Sequence, residues 1–265
     1  MLVSSVPDRF TSGLAPQVRS ARIVAIIPSR YQSTRLPGKP LASIDGKPMI
    51  EHVYRRAEQA RTVDAVLVAT DDERIAVAVR AFGGQVVLTR ADHATGSDRL
   101  AEVAAHLEGE LIVNVQGDEP LIDPDAIDAA VAPLRANPLE VVGTLRRRID
   151  DEADWDNPSV VKVVVDRNGS ALYFTRARVP FVRPGHPPPA AWRHVGLYVY
   201  RREFLLRLAA LPQTPLELAE GLEQLRVLEH GYRICTVETT GDAVGVDTPE
   251  DLERVRRMMG TGVRL

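Results

Sequence analysis

The feature that most constrains this chain is a set of apolar runs with almost no charge, each followed by a stretch of helical period. Ile23-Val24-Ala25-Ile26-Ile27, Ala65-Val66-Leu67-Val68-Ala69, the run from Gln85 to Thr89, and Leu111-Ile112-Val113-Asn114-Val115 recur along the first half. A strand that is apolar at successive positions is buried on both faces. Between the runs, Met49 to Ala60 and Ser97 to Leu107 read as helices. Thr70 or Asp71 is placed to cap a third helix running through Phe82, and Asp123-Pro124 opens another with a cap and a first-turn proline. Strand alternating with helix predicts βαβ units, hence an α/β fold with a mainly parallel sheet flanked by helices.

After about Val141 the rhythm changes. The runs Val160 to Val165 and Ala171 to Phe174 flank Asp166-Arg167-Asn168-Gly169, and Asn-Gly is a hairpin signal. Val195 to Tyr200 reads as a further strand and Leu216 to His230 as one helix, so the middle holds antiparallel strands. Thr248-Pro249-Glu250-Asp251 has the spacing of a capping box for the last helix. Residues 1–21 are expected to form a flexible extension, and 22–265 a single domain with an antiparallel subregion at about 155–215.

Composition narrows the function classes. The chain has 265 residues, 45% hydrophobic and 26% charged, which suits a globular core rather than disorder. Its 33 Lys and Arg against 36 Asp and Glu leave a net charge of −3, so general nucleic-acid binding is not expected. No stretch has the apolar length of a membrane span, and no signal peptide is recognised. The one cysteine, Cys235, lies in a strand-like run, reads as a small buried residue, and fits a cytoplasmic location.

Ligands of open α/β sheets bind just past the carboxyl ends of strands. The loop after the first strand, Pro28-Ser29-Arg30-Tyr31-Gln32-Ser33-Thr34-Arg35-Leu36-Pro37-Gly38-Lys39-Pro40, sits there and carries Arg30, Arg35 and Lys39. That is the chemistry of an anion clamp, since arginine grips phosphate oxygens in pairs and lysine adds a point charge. Neither a P-loop nor a dinucleotide fingerprint is present. Asn114-Val115-Gln116-Gly117-Asp118-Glu119-Pro120 ends the fourth strand at the same edge. A carboxylate there would repel a phosphate unless a metal lay between, and Mg²⁺ is the natural bridge. The plainer reading of Asp118 is a turn cap, and that of Asp247, in Gly245-Val246-Asp247-Thr248-Pro249, is an acid stabilising a helix N-terminus. Gly96 and Ser97 at a helix start could hold a base or sugar, or serve as a cap. Glu217, Glu220 and Gln224 recur on one polar helix face, suited to solvent or to a polyol. A structural role is the default for His194.

Together, Ile26 to Tyr31, Ser33 to Leu41, Val113 to Pro120, Arg193-His194-Val195-Gly196-Leu197-Tyr198, Leu222 to Arg226 and Gly245 to Leu252 resemble the 3-deoxy-manno-octulosonate (Kdo) cytidylyltransferases, in order and at similar spacing from about Ile23 to Met259. The resemblance implies a Rossmann-like nucleotide-diphospho-sugar transferase fold with a smaller antiparallel dimerisation region. It implies CMP transfer from CTP to Kdo, dependence on Mg²⁺, a role in lipopolysaccharide synthesis, and a homodimer. Carried over by position, Pro28, Ser29, Arg30, Arg35 and Lys39 would surround the triphosphate, and Thr70, Asp71, Gly96, Ser97, Arg99 and Gln116 the nucleotide and its junction with the sugar. Asp118 and Asp247 would be the metal carboxylates and, with Arg30 and Lys39, the catalytic set. Arg176, His194, Tyr198, Glu217, Glu220 and Gln224, with Gln116, would line the sugar pocket. Where the family has Gly-Thr-Glu-Arg, this chain has Gly96-Ser97-Asp98-Arg99, and Asp98 reaches less far. Another sugar acid (8-amino-Kdo or sialic acid) is the near alternative. A non-catalytic nucleotide-binding regulator on the same fold is the distant one.

Overall fold

The structure, a computed structural model, describes residues 14–33, 35–241 and 244–260. Most of the expected N-terminal extension, and Thr34 of the basic loop, lie outside the described residues. The chain divides into two compact units, one of residues 1–128 with 242–265 and one of 129–241, where the sequence suggested a single domain. The second unit is wider than the antiparallel subregion expected at about 155–215.

In the first unit, α1 (Pro16–Arg19) precedes β1 (Ile23–Ser29). The stretch expected to be loose therefore contains a helical turn, because Leu14, Val18 and Ala21 find apolar cover and are buried. The short hairpin β2 (Ser43–Ile44) and β3 (Lys47–Pro48) leads into α2 (Met49–Ala57). There follow β4 (Ala65–Thr70), α3 (Glu73–Ala81), β5 (Val86–Leu88), α4 (Gly96–Ala104) and β6 (Leu111–Asn114). The strands run β6-β1-β4-β5, all parallel, with Ile26 beside Leu67 on one side and Asn114 on the other. Ile23 to Ile27 are buried throughout, as a strand covered on both faces requires. The cap of α3 is Asp72, which accepts from Arg74 N, rather than Thr70 or Asp71. Thr95 and Asp98 close a capping box on α4, which gives the shortened acid a structural use.

Helix α5 (Pro124–Ala136) carries the chain into the second unit. There lie β7 (Val142–Arg148), α6 (Glu152–Asp156), β8 (Lys162–Val165), β9 (Ala171–Thr175), β10 (Trp192–Arg201), α7 (Arg202–Ala210), α8 (Pro215–Glu220), α9 (Gln224–Glu229) and β11 (Cys235–Glu238). Strand β7 pairs antiparallel with β10 and parallel with β11, and β8 pairs with β10 and β9. The β8–β9 hairpin turns where Asn-Gly predicted, with the Asp166 carboxylate accepting from Asn168 N and Ser170 N. The single helix expected from Leu216 to His230 is two. Gly221 adopts φ 62°, a left-handed conformation that closes α8 and that residues with a Cβ rarely take. The break rotates the apolar stripe, so Leu222 and Leu225 are buried while Leu218 is 64% exposed. Cys235 is a strand residue whose thiol donates to Val142 O and is pushed up to about 12 by burial, in keeping with an unreactive role.

The chain then returns to the first unit as α10 (Pro249–Gly260). Val246, Leu252 and Val255 bury against Ile44, Met49 and Leu121, and Arg256 donates to Ser43 O. The predicted capping box at Thr248 and Asp251 is formed.

Candidate active site

The carboxyl ends of β1 and β6 open onto a cleft of about 380 Å³ lined by Pro28, Ser29, Arg30, Arg35, Lys39 and Asp118, with Gln116 among its walls. Gly117 makes that approach possible: a Cβ there would lie 3.0 Å from Pro28 O. The basic loop folds back through a 3-10 turn at Lys39–Leu41, which points the Lys39 ammonium inward.

That ammonium joins two distant parts of the chain. It donates to Asp118 Oδ2 at 2.7 Å and to Asp247 Oδ1 at 3.1 Å, while Arg35 pairs with Asp247 Oδ2 at 3.0 Å. Two backbone contacts hold the acids there, as Val246 N donates to Asp118 O and Asp247 N to Asp251 Oδ2. Burial works to lower the Lys39 pKa, but the charges and hydrogen bonds of Asp118 and Asp247 outweigh it and leave the group above the ordinary lysine value. Arg30 is used differently, donating to His93 O at 2.7 Å and Thr95 O at 3.1 Å, so it ties the loop before α4 to the cleft.

The donor set suits Mg²⁺. Asp118 and Asp247 offer only oxygen, are partly open to solvent, and already converge on one cationic atom. Among the described residues no three His, Cys, Asp or Glu groups cluster as a metal site. A cation here therefore needs further oxygens from a ligand or water, as Mg²⁺ bound to phosphates has.

The other expected nucleotide residues surround the start of α4. Gly96 and Ser97 occupy its first turn, and Thr70 Oγ1 accepts from Asp72 N. Arg99 is fully buried, bonded to Thr89 and ion-paired with Asp71 at 3.2 Å. Its Nε makes no hydrogen bond among the described residues, and neither does Ser29 Oγ. Two groups escaped the sequence reading. His93, whose carbonyl Arg30 holds, is bonded through its ring to Glu102 of α4. Glu119, though part of the motif, is buried with an unbonded Oε2, and burial together with the Asp118 charge lifts it to about 8, which favours the neutral acid. Its neighbours Gly117 and Pro120 were the only sequence hint that the segment turns inward.

The expected sugar residues lie in the second unit. The ladder of β10 on β7 slips between Val195 and Tyr198. Residues four apart on a regular strand are separated by roughly 13 Å. The slip instead brings the His194 and Tyr198 rings to 5.2 Å, with Phe174 edge-on to His194 at 5.1 Å. Burial drives His194 down to about 4 and Tyr198 well above the ordinary tyrosine value, so both are neutral. Glu220 accepts from Thr175 Oγ1 and Arg176 N, and Arg176 Nε donates to Glu220 O at 2.8 Å. Gln224 is buried at the start of α9.

The row expected of Glu217, Glu220 and Gln224 is interrupted: Glu217 and Glu220 share α8, and Gln224 lies beyond the break at Gly221 on α9. The Glu217 carboxylate instead accepts from Thr214 N at 3.2 Å and is taken by the buried Arg226, Nε donating at 2.8 Å. Burial works to raise its pKa, but the Arg226 bond and the backbone N–H of Thr214 outweigh this and hold it below the ordinary value.

A strand-end anion clamp with converging carboxylates is the arrangement of a nucleotidyltransferase, and residues 24–234 match the family described as Cytidylyltransferase. The 3-deoxy-manno-octulosonate cytidylyltransferase of Geobacter metallireducens is 57% identical over 244 residues, covering 88% of this chain and 96% of that one. The corresponding protein of Solibacter usitatus is 53% identical over 242 residues, covering 91% and 96%. A solved CMP:2-keto-3-deoxy-manno-octonic acid synthetase, complexed with CTP, superposes with a TM-score of 0.88 at 46% identity, over 91% of this chain and all of that one. The chain belongs to the cytidylyltransferase family, in its 3-deoxy-manno-octulosonate branch.

Proposed function

We propose that this protein transfers CMP from CTP to the anomeric hydroxyl of Kdo, giving CMP-Kdo and pyrophosphate. The observation that carries the reading is the meeting of Asp118 and Asp247 on one cationic atom, beside Arg35, at the carboxyl ends of β1 and β6. The kinship with Kdo cytidylyltransferases supplies the sugar.

Arg35 and Lys39 bind triphosphate oxygens, and Arg30 keeps the loop before α4 in place beside them. Arg99, with an unbonded buried Nε, and Ser29, with an unbonded hydroxyl, offer polar atoms to the nucleotide. Asp118 and Asp247 would hold Mg²⁺, which when bound lowers the pKa of a coordinated hydroxyl and offsets phosphate charge. Arg176, His194, Tyr198 and Gln224 present an acid-binding cation, neutral rings and an amide to the sugar acid. Catalysis then rests on positioning and on charges fixed before the reaction, without a covalent intermediate on the protein. We place the enzyme in the cytoplasm as a homodimer that supplies activated sugar for lipopolysaccharide synthesis. Among the described residues no helix is long and apolar enough to cross a membrane.

Pyrophosphate release from CTP and Mg²⁺ tests this, with Kdo, 8-amino-Kdo or sialic acid in parallel. The expected result is release that needs Kdo and stops with EDTA and, with CTP made chiral at the α-phosphorus, a product of inverted configuration. Release with another sugar acid alone would replace the substrate, and none with any would end the enzymatic reading.

A further inference from the structure

Beneath the slip in β10 lies Thr144 of β7, fully buried and outside every motif that carries the family likeness. Its hydroxyl oxygen is 2.9 Å from His194 Nε2, 2.8 Å from Leu197 O and 3.3 Å from Val195 O. We infer that Thr144 holds His194 in the Nε2–H tautomer, so that the ring offers a bare Nδ1 acceptor to a hydroxyl of the sugar-acid substrate. The substrate half of this rests on the sugar-binding role of His194 given above.

A count of protons fixes the tautomer. A threonine hydroxyl has one proton to donate and lone pairs to accept with. Sent to Nε2, that proton would leave the oxygen facing two carbonyl oxygens with nothing between them. Sent to Leu197 O, it satisfies the nearer carbonyl and leaves a lone pair for an N–H at Nε2. The ring is neutral near pH 7, since burial takes it to about 4, so it carries one proton and Nδ1 carries none. The ring is also held in place. His194 N donates to Val161 O at 2.8 Å, and Phe174 and Tyr198 crowd the ring from two sides. Among the described residues no group bonds Nδ1. A sugar acid rich in hydroxyl donors finds there an acceptor that a free imidazole would offer only part of the time.

The test is nitrogen NMR of the full chain carrying ¹⁵N-imidazole histidine at pH 7, with His194→Gln used to assign the signals. The expected spectrum has a proton-bearing, pyrrole-type Nε2 and a pyridine-type Nδ1 that moves when Kdo is added. Thr144→Val should lose that pattern and raise KM for Kdo about tenfold, the weight of one hydrogen bond, with KM for CTP unchanged. Thr144→Ser should restore both. A pyrrole-type Nδ1 in the parent protein overturns the inference, as does a Thr144→Val variant with unaltered ring signals and KM. Should the valine variant fail to fold, the parent spectrum alone decides the tautomer. If Kdo drives no pyrophosphate release from the parent protein, the substrate half falls with that reading, and the ring spectrum still judges the tautomer.

Discussion

In the first unit the charged groups of the candidate site are partnered with one another: Lys39 with Asp118 and Asp247, Arg35 with Asp247. In the second unit the corresponding groups are neutral, like His194 and Tyr198, or have carboxylates held by the scaffold, like Glu217 by Arg226 and Glu220 by the Thr175 hydroxyl. The Asp247 side chain is 48% exposed and that of Arg35 62%, whereas Glu217 and Arg226 are nearly sealed. Exposed ion pairs are worth little net energy, about 0–1 kcal/mol. Breaking a buried pair costs about 3–5 kcal/mol. The Arg35–Asp247 pair of the first unit is thus cheap to open, whereas the Glu217–Arg226 pair of the second is costly to break.

The sharpest way to break the contrast is Asp118→Asn, which keeps the shape of the clamp and removes a charge. Turnover should fall on the order of a thousandfold with the fold unchanged, measured as pyrophosphate release beside a melting curve. A loss under tenfold would mean that the carboxylates of the clamp do not serve the reaction. Glu217→Ala should do the reverse. It removes the carboxylate that pairs with buried Arg226 and should lower stability by about 3–5 kcal/mol in urea titration, with KM for CTP unmoved.

The neutral rings give a pH test. The pKa of His194 is about 4 in the fold, below its ordinary 6.5, so as pH falls the unfolded chain takes up the proton first. Its contribution is complete above 6.5 and drains as pH falls towards 4. Against a His194→Gln control, stability at pH 4.5 should be about 2 kcal/mol lower than at pH 7. An equal pH response in the two proteins would place a charged histidine in the folded state. The smallest effect is expected at the cap of α4, where Thr95→Ala should cost about 1 kcal/mol of stability by loss of one side of the capping box.

Much of the first unit was legible because strands buried on both faces write themselves as unbroken apolar runs, as Ile23 to Ile27 does. The basic loop and the Gln116 to Pro120 turn were legible because a parallel sheet brings its strand ends to one edge. That Asp118 and Asp247 share one ammonium was not, since nothing local to either residue records the other. In the second unit local signals competed with long-range pairing. The polar spacing of Glu217, Glu220 and Gln224 suggested one helix, yet Gly221 divides it. Gly196 inside a strand-like run was the one trace of the slip that brings His194 to Tyr198, and Thr144, contributed by another strand, left no trace at all.

The return of the last helix to the first unit has a consequence for how the protein comes into being. Asp118 emerges from the ribosome well before Asp247, and the whole second unit is synthesised between them. The pocket of Ile44, Met49 and Leu121 stays open until Val246, Leu252 and Val255 arrive to fill it. A nascent chain can therefore form β1, β4 and β6 early but cannot assemble the paired carboxylates. Fragments released by premature termination lack half of that pair, so a truncated copy has no means of imitating the finished one.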